Sequence, residues 1–179
     1  MKKIIAISGT PGTGKTAVSR ILARKMNANL ISIHDIVKKR QVVYTTDRKR
    51  NTKVVSISDL QKAVNRKIKP GLNIIEGHFS HDLRSDVTIV LRCNPIELAK
   101  RLKRKGWKKA KIKENIEAEL IGIISAEARR NKNVMEIDTT GKRPGKTAEE
   151  IIAKMKMPSK KPIDWLKPRI LLKLGKALK

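Results

Sequence analysis

The stretch GTPGTGKT, residues 9–16, follows a short apolar run at residues 4–7 and leads into a helical pattern from Ala17 to Met26. It has the spacing G-x-x-x-x-G-K-[ST], which is typical of phosphate-binding loops that join a strand to a helix. Glycines at positions 9, 12 and 14 let the backbone turn tightly and point successive N–H groups at an anion. The sequence therefore predicts a phosphate-binding loop.

The side chains at the end of this loop have predicted chemical roles. We expect the Lys15 ammonium to contact the β- and γ-phosphates of a nucleoside triphosphate, and the Thr16 hydroxyl to bind the Mg²⁺ ion that bridges them. The loop residues predicted to bind the nucleotide are Gly12, Thr13, Gly14, Lys15 and Thr16.

Length and composition indicate one strongly basic α/β domain. The 179 residues include 43 Lys and Arg against 16 Asp and Glu, which gives a net charge of +27. Acidic residues are too few to balance this charge, so we expect contact with a polyanion, and with RNA rather than a membrane because there is no long apolar segment. A single cysteine, Cys93, excludes internal disulfides, and the N-terminal apolar stretch is too short for a signal peptide. A cytoplasmic protein is expected.

Strand and helix patterns alternate along the chain, without an internal repeat. This alternation predicts a five-stranded parallel sheet with helices on both faces, and the predicted strands are residues 3–8, 30–33, 72–75, 87–91 and 134–137. After the loop helix, predicted helices begin near Ser58, Asn94 and Thr147. A further helix is predicted over residues 112–132, with the apolar residues Ile116, Leu120, Ile123 and Ile124 in the core.

Candidate site residues follow the predicted strands. Ligands of open α/β sheets bind at the carboxyl ends of the strands, which singles out Glu76 and His78. His78 could equally be an ordinary hydrogen-bonded histidine, and Arg92 either lies near an adenine, braces a lid or is a surface arginine. The basic segment 38–53 lacks clear periodicity and is interpreted as a mobile loop or small subdomain that covers a second substrate.

Two regions of the sequence are strongly basic. Cationic residues crowd the end of the helix that begins at Asn94, and this concentration indicates a nearby anion such as a triphosphate or RNA: Arg101, Lys103, Arg104, Lys105, Lys108, Lys109, Lys111 and Lys113. The basic tail after Pro158 docks on the domain, on a partner or on RNA, and the sequence does not rank these alternatives.

Several of these motifs together resemble one known family. They are the GTPGTGKT loop, the segment around Asp35, Glu76-Gly77-His78, the strand that ends at Leu91-Arg92, and Arg104-Lys105-Gly106-Trp107 before a long helix. Over residues 2–152 the chain resembles the archaeal form of the adenylate kinase isoenzyme six family, also known as the coilin-interacting nuclear ATPase family.

The resemblance implies a phosphate-loop fold of the nucleoside monophosphate kinase type and a kinase that converts ATP and AMP to ADP, with slow ATP hydrolysis. It implies a role in small ribosomal subunit maturation and rRNA 3′ processing, through contact with the platform ribosomal protein that corresponds to bacterial S eleven and with pre-ribosomal RNA. It divides the chain into a kinase domain, residues 1–157, and a tail, residues 158–179. Within the domain, residues 31–53 would bind the monophosphate and residues 104–113 would form the lid.

The same resemblance implies Lys15, Glu76 and His78 as catalytic residues, Thr16 and Glu76 as residues that hold Mg²⁺, and Arg104 and Lys105 as lid cations on ATP. Two positions depart from the family pattern. Glu76 stands where Asp is common, so we expect it to hold Mg²⁺ through a water molecule. Lys105 aligns with the lid arginine and lacks its bidentate fork, so either Arg104 takes that role or phosphoryl transfer is slow.

Three function classes are compatible with these residues. The first is a nucleotide kinase, and the second is a ribosome-assembly ATPase whose kinase reaction is incidental, which the +27 charge favours. A plain RNA-binding module ranks below both, because the only aromatic side chains that could stack on bases are scattered along the chain: Tyr44, Phe79, Trp107 and Trp165.

Overall fold

The computed structural model of the chain describes residues 2–42, 44–47, 52–156 and 162–177. In chain order the elements are β1 (Lys2–Gly9), α1 (Lys15–Lys25), β2 (Asn29–Ser32), α2 (Ile33–Lys38), β3 (Tyr44–Asp47), β4 (Thr52–Val55), α3 (Ile57–Asn65), β5 (Gly71–Glu76), a 3-10 helix (Ser80–Asp82), β6 (Val87–Arg92), α4 (Pro95–Arg104), α5 (Lys109–Ile121), α6 (Ile123–Ala128), β7 (Val134–Asp138), α7 (Pro144–Lys156) and α8 (Pro168–Ala177).

Five of these strands form one parallel sheet in the order β2-β5-β1-β6-β7, which confirms the predicted sheet. In the register of the sheet, Glu76 of β5 lies beside Ile7 of β1 and beside Ser32 of β2. The carboxyl ends of these strands therefore meet at one edge, where the phosphate-binding loop leaves β1.

Helices cover both faces of the sheet because the strands are apolar on both sides. Ile74 packs in a cluster with Leu22 of α1 and Ile151 of α7. Its neighbour Ile75 points to the opposite face and packs in a cluster with Leu60 of α3. Both isoleucines have no exposed surface, as expected for a strand buried between two helical layers.

The basic segment 38–53, interpreted from the sequence as a mobile loop or small subdomain, contributes to a small separate sheet. It includes β3, which pairs antiparallel with β4 in a separate two-stranded sheet with Tyr44 opposite Val55. Residues 43 and 48–51 of this segment lie outside the described residues.

The predicted helix over residues 112–132 is wrong in its continuity. Gly122 adopts a left-handed conformation with φ 69° between α5 and α6, which turns the chain there. Ile116 and Ile124 are buried as predicted, but Ile123 is 40% exposed and does not belong to the core. Its exposure follows from the break, since the helical spacing of the pattern does not continue across Gly122.

Helix boundaries differ by a few residues elsewhere. The Ser56 hydroxyl, rather than Ser58, caps α3 by accepting a hydrogen bond from the Asp59 amide, and the helix ends at Asn65. Helix α7 begins at Pro144, three residues before the predicted Thr147. Asn94 caps α4 as expected, through a hydrogen bond from the Ile96 amide.

The described part of the C-terminal tail contacts the domain. Leu174 of α8 is 6% exposed and packs with Leu98 and Leu102 of α4. Of the three destinations that the sequence left open, the structure therefore places residues 162–177 against the domain itself. Among the helices that the structure describes, none has the length and apolar character required to cross a lipid bilayer.

Candidate active site

The loop predicted to bind phosphate lies between the carboxyl end of β1 and the first turn of α1, directly above α4. Gly12 has φ 94°, and a Cβ atom added there would lie 2.8 Å from Leu98 Cδ1 and 3.0 Å from Leu102 Cδ2. A Cβ at Gly9 would clash with the Leu91 carbonyl oxygen. Glycine is therefore required at both positions, because α4 and β6 leave no room for a side chain.

Hydrogen bonds within the loop hold its turn. The Thr13 hydroxyl and amide both donate to the Thr10 carbonyl oxygen, at 2.8 and 3.2 Å. The Lys15 ammonium folds back over the loop and donates to the carbonyl oxygens of Gly9, at 2.7 Å, and Thr10, at 3.2 Å. The loop thus holds a cation close to its backbone, as phosphate binding requires.

The charge on Lys15 is easily lost. Desolvation lowers the pKa of Lys15 to about 8, although the carboxylates of Glu76 and Glu119 favour the charged form; the nearby Lys105 lowers the pKa further. A phosphate group in the loop would add negative charge beside this ammonium and stabilise its protonated form.

Glu76 lies next to Thr16 at the edge of the sheet. The buried Glu76 carboxylate accepts hydrogen bonds from Thr16 Oγ1 at 3.3 Å and from Ser32 Oγ at 2.9 Å. These are oxygen ligands of the kind that Mg²⁺ prefers, and one carboxylate with one hydroxyl leaves room for phosphate and water ligands. The described chain contains no group of three or more His, Cys, Asp or Glu that could hold a metal by itself. The residues therefore fit a magnesium ion shared with a bound nucleotide.

His78 lies two residues beyond Glu76 and lines the same pocket. Its ring packs edge-on against Phe79, with 4.8 Å between the ring centroids. Desolvation inside the pocket, followed by the charge of Lys15, lowers the pKa of His78. A neutral imidazole can accept a proton or a hydrogen bond, so the position suits a residue that orients a reacting oxygen.

These side chains share a pocket of about 850 Å³ with the loop. The loop side of the pocket contains Gly12, Lys15, Thr16, Glu76 and His78. A largely apolar wall of the pocket comes from α2, β4 and α3: Ile33, Val37, Val55, Ile57 and Leu60. Of the predicted monophosphate region, residues 31–53, Ile33, His34 and Val37 line the pocket, and the wall extends beyond that range to Leu60.

Of the two predicted lid cations, only one faces the pocket. Lys105 and Trp107, in the turn between α4 and α5, line it. The Arg104 side chain is 73% exposed, lies outside the pocket, and is 3.7 Å from the Glu97 carboxylate. The structure thus brings Lys105, but not Arg104, together with Lys15.

Of the three alternatives for Arg92, the structure excludes the surface arginine. Arg92 is 3% exposed and donates to Glu119 Oε1 at 2.7 Å and Glu136 Oε2 at 2.9 Å. It lies in the interior behind the loop and does not face the pocket that would hold a nucleotide. A buried guanidinium needs such carboxylate partners, and the sequence does not reveal them because they lie 27 and 44 residues away.

Two further residues of the site were not identified in the sequence analysis. Ser32 orients Glu76, and the buried His81 lies 2.8 Å from Ser8, whose hydroxyl donates to the His78 carbonyl oxygen at 2.9 Å. Ser32 and His81 belong to no contiguous motif. For Ser32, its place at the end of a strand beside the Glu76 strand was the one available indication.

Comparisons with known proteins agree with this fold and this loop. A family model described as "AAA domain" matches residues 5–122. A Thermococcus kodakarensis protein described as "Putative adenylate kinase" is 42% identical over 151 residues, which is 83% of each chain. Proteins with the same description from Pyrococcus furiosus and Methanocaldococcus jannaschii are 38% and 37% identical and cover 92% and 90% of this chain, and 92% of their own length in both cases.

Solved structures with a similar fold are small-molecule kinases of low sequence identity. A shikimate kinase from Acinetobacter baumannii, solved in complex with shikimate, superposes with a TM-score of 0.56 at 19% identity, covering 90% of this chain and 97% of that chain. A gluconokinase from Sinorhizobium meliloti has a TM-score of 0.56 at 13% identity, with coverage of 86% and 91%. At these identities the likeness shows the phosphate-loop kinase fold alone.

Proposed function

Because this chain belongs to the family of archaeal proteins described as "Putative adenylate kinase", we propose that it is a nucleoside monophosphate kinase that transfers a phosphoryl group from ATP to AMP. The observation that carries the proposal is the shared pocket, in which Lys15, Thr16 and Glu76 face an apolar wall across about 850 Å³. That volume lies near the upper end of typical ligand pockets, about 300–1,000 Å³, as two nucleotides would require.

In the proposed reaction an oxygen of the AMP phosphate attacks the γ-phosphorus of ATP. The bond from that phosphorus to the β–γ bridging oxygen breaks, and the electron pair stays on the oxygen of the departing ADP. This transfer needs alignment and neutralisation of negative charge rather than a covalent intermediate. The loop amides and Lys15 would hold the triphosphate, and Lys105 would approach it from the turn between α4 and α5.

Thr16 and Glu76 would hold Mg²⁺, which supplies charge neutralisation on the phosphate oxygens. Ser32 keeps the Glu76 carboxylate in place through its hydrogen bond. The apolar wall formed with Val37, Ile57 and Leu60 would receive the base of the monophosphate, and His78 would orient the attacking oxygen. When the acceptor is water, the same arrangement would give slow ATP hydrolysis.

The test measures ADP formation from magnesium ATP with and without AMP. We expect AMP-dependent turnover in the unaltered protein and a loss of at least about 100-fold in Lys15→Ala, because one charge contact to the transition state is removed. Lys132→Ala, which removes an exposed lysine outside the pocket, is the matched control and should retain full turnover. AMP-dependent turnover that persists in a folded Lys15→Ala protein would refute the proposal.

The net charge of +27 favours a second function, a ribosome-assembly ATPase that binds the platform ribosomal protein and pre-ribosomal RNA. A kinase that acts only on free nucleotides has no need of such a field. The two functions share the site and separate in one assay, which compares ATP alone with ATP plus small-subunit ribosomal RNA or the platform protein. ATP hydrolysis that RNA or the platform protein stimulates in the absence of AMP would support the ribosome-assembly ATPase. Hydrolysis that neither addition changes would exclude it.

A further inference from the structure

The C-terminal segment, residues 162–177, is hydrogen-bonded to buried charges of the domain. The Ile163 amide donates to Glu136 Oε2 at 2.9 Å, and the Ile163 carbonyl oxygen accepts from Arg92 Nη1 at 3.1 Å. Two residues further on, the Trp165 indole N–H donates to Glu119 Oε1 at 3.2 Å. The segment is thus connected to the ionic cluster that lies behind the phosphate-binding loop.

Glu119 connects this segment to the loop. Its carboxylate is buried, and one oxygen accepts from Arg92 Nε, the Cys93 amide and Trp165 Nε1. The other oxygen accepts from the Thr10 hydroxyl of the loop at 2.5 Å. A buried carboxylate keeps its position only while donors satisfy it, so removal of one donor alters its hold on the others.

A second, apolar connection reaches the same loop. Leu174 of α8 belongs to the same apolar cluster as Leu98 and Leu102, and the side chains of these two leucines occupy the space next to Gly12. Thr10 and Gly12 of the phosphate-binding loop therefore both contact parts of the domain that also contact residues 162–177. Densely packed side chains transmit such small displacements because they leave no free volume to absorb them.

We propose that Trp165 is a positioning residue for the phosphate-binding loop: it acts through Glu119 and Thr10, and docking of residues 162–177 raises the affinity of the loop for magnesium nucleotide. The inference rests on the proposed function only in requiring that the loop binds nucleotide. Linkage makes the effect reciprocal, so bound nucleotide strengthens docking of the segment by the same factor.

The test is nucleotide affinity in Trp165→Phe, which keeps an aromatic ring and removes the indole donor. Calorimetric titration with magnesium and a non-hydrolysable ATP analogue should show Kd increased about five- to tenfold, because the carboxylate that holds Thr10 loses one of its hydrogen bonds. Leu172→Ala, in α8 of the same C-terminal segment and 71% exposed, is the matched control and should leave Kd unchanged. An unchanged Kd in Trp165→Phe would overturn the inference.

A double-mutant cycle distinguishes positioning from general support of the fold. Thr10→Val removes the hydroxyl that Glu119 holds, so Trp165→Phe should cause little further loss of affinity in that background. If the two losses simply add, Trp165 does not act through Thr10 and the inference fails. A lowered melting temperature with unchanged Kd would likewise assign Trp165 a structural role only.

Leu174→Ala tests the apolar connection independently and should also weaken nucleotide binding, by loosening α8 from α4. These titrations contain no AMP, so their outcome is separate from that of the kinase assay. Loss of nucleotide affinity in Trp165→Phe without any AMP-dependent turnover in the unaltered protein would support the positioning role and refute the kinase.

Discussion

Lys15 carries a positive charge that phosphate binding needs, although its buried surroundings favour the neutral amine. Its ammonium is bonded to two loop carbonyl oxygens, and desolvation lowers its pKa to about 8. Such a lysine is protonated at neutral pH but loses its proton well below the usual range for lysine. Phosphate binding then depends on pH in a predictable direction.

We expect the affinity for magnesium nucleotide to be nearly constant up to about pH 7 and to fall as the pH rises through about 8, since the free protein loses the Lys15 proton there. The bound phosphates raise the pKa of Lys15, so binding above about pH 8 should take up a proton, and Kd should increase by up to about tenfold per pH unit.

Calorimetric titration in two buffers of different ionisation enthalpy measures both Kd and proton uptake. Lys15→Met, which cannot titrate, should bind more weakly and without proton uptake at any pH. Equal proton uptake in this variant would show that another group is responsible.

Helix α4 supports the phosphate-binding loop, and this packing explains the glycine at position 12. The side chains of Leu98 and Leu102 occupy the space that a Cβ would need, and φ at Gly12 is 94°. The position of α4 therefore fixes the position of the loop in the pocket. The motif G-x-x-x-x-G-K-[ST] leaves position 12 open, and the requirement for glycine there comes from its positive φ and its contact with α4.

Gly12→Ala should lower the free energy of unfolding by about 1–3 kcal/mol, because the new methyl group meets Leu98 Cδ1 at 2.8 Å and the left-handed backbone is strained. Chemical denaturation measures this change, and nucleotide affinity should fall as well. Gly145→Ala, in the first turn of α7 with no atom within 4 Å of the new Cβ, is the matched control. There alanine should be neutral or stabilising, by up to about 1 kcal/mol. Equal stability of the two variants would contradict the role assigned to α4.

The break between α5 and α6 also follows from packing. A Cβ at Gly122 would lie 3.4 Å from both terminal nitrogens of Arg92, so the buried guanidinium occupies the inside of the turn. The break brings Glu119, at the end of α5, and Ser125, in α6, onto the same arginine. Apolar spacing alone predicts one continuous helix. The spacing reflects which residues are buried, and it does not show that a buried charge such as Arg92 needs hydrogen-bonding partners.

The whole molecule carries more positive charge than its acidic residues neutralise. The 16 acidic residues include Glu119 and Glu136, which neutralise the buried Arg92, and Glu76 in the pocket. Several of the other described acids form exposed pairs, such as Lys111–Glu114, which contribute little to stability. Most of the +27 charge is therefore available to a polyanion.

If RNA is the partner, affinity for a small-subunit ribosomal RNA fragment should fall at least about 100-fold between about 50 and 200 mM salt, as bound counterions are released. Affinity for magnesium nucleotide should change much less over the same range, since its site is a partly enclosed pocket. Filter binding for RNA and calorimetry for nucleotide provide the comparison. A shallow dependence for RNA would show that few phosphates are contacted and would weaken the proposed ribosomal role.

Residues 9–16 and the apolar strands determined the loop, the parallel sheet and the position of Glu76 and His78 at its edge, because each depends on contiguous or regularly spaced residues. Tertiary structure alone decided that Lys105 rather than Arg104 faces the pocket, that Arg92 is buried, and that Glu119 joins Thr10 to Trp165. Thr10 and Glu119 are 109 residues apart, and Glu119 and Trp165 are 46 apart. No local pattern records such pairs, since a buried charge finds its partners only once the helices have packed.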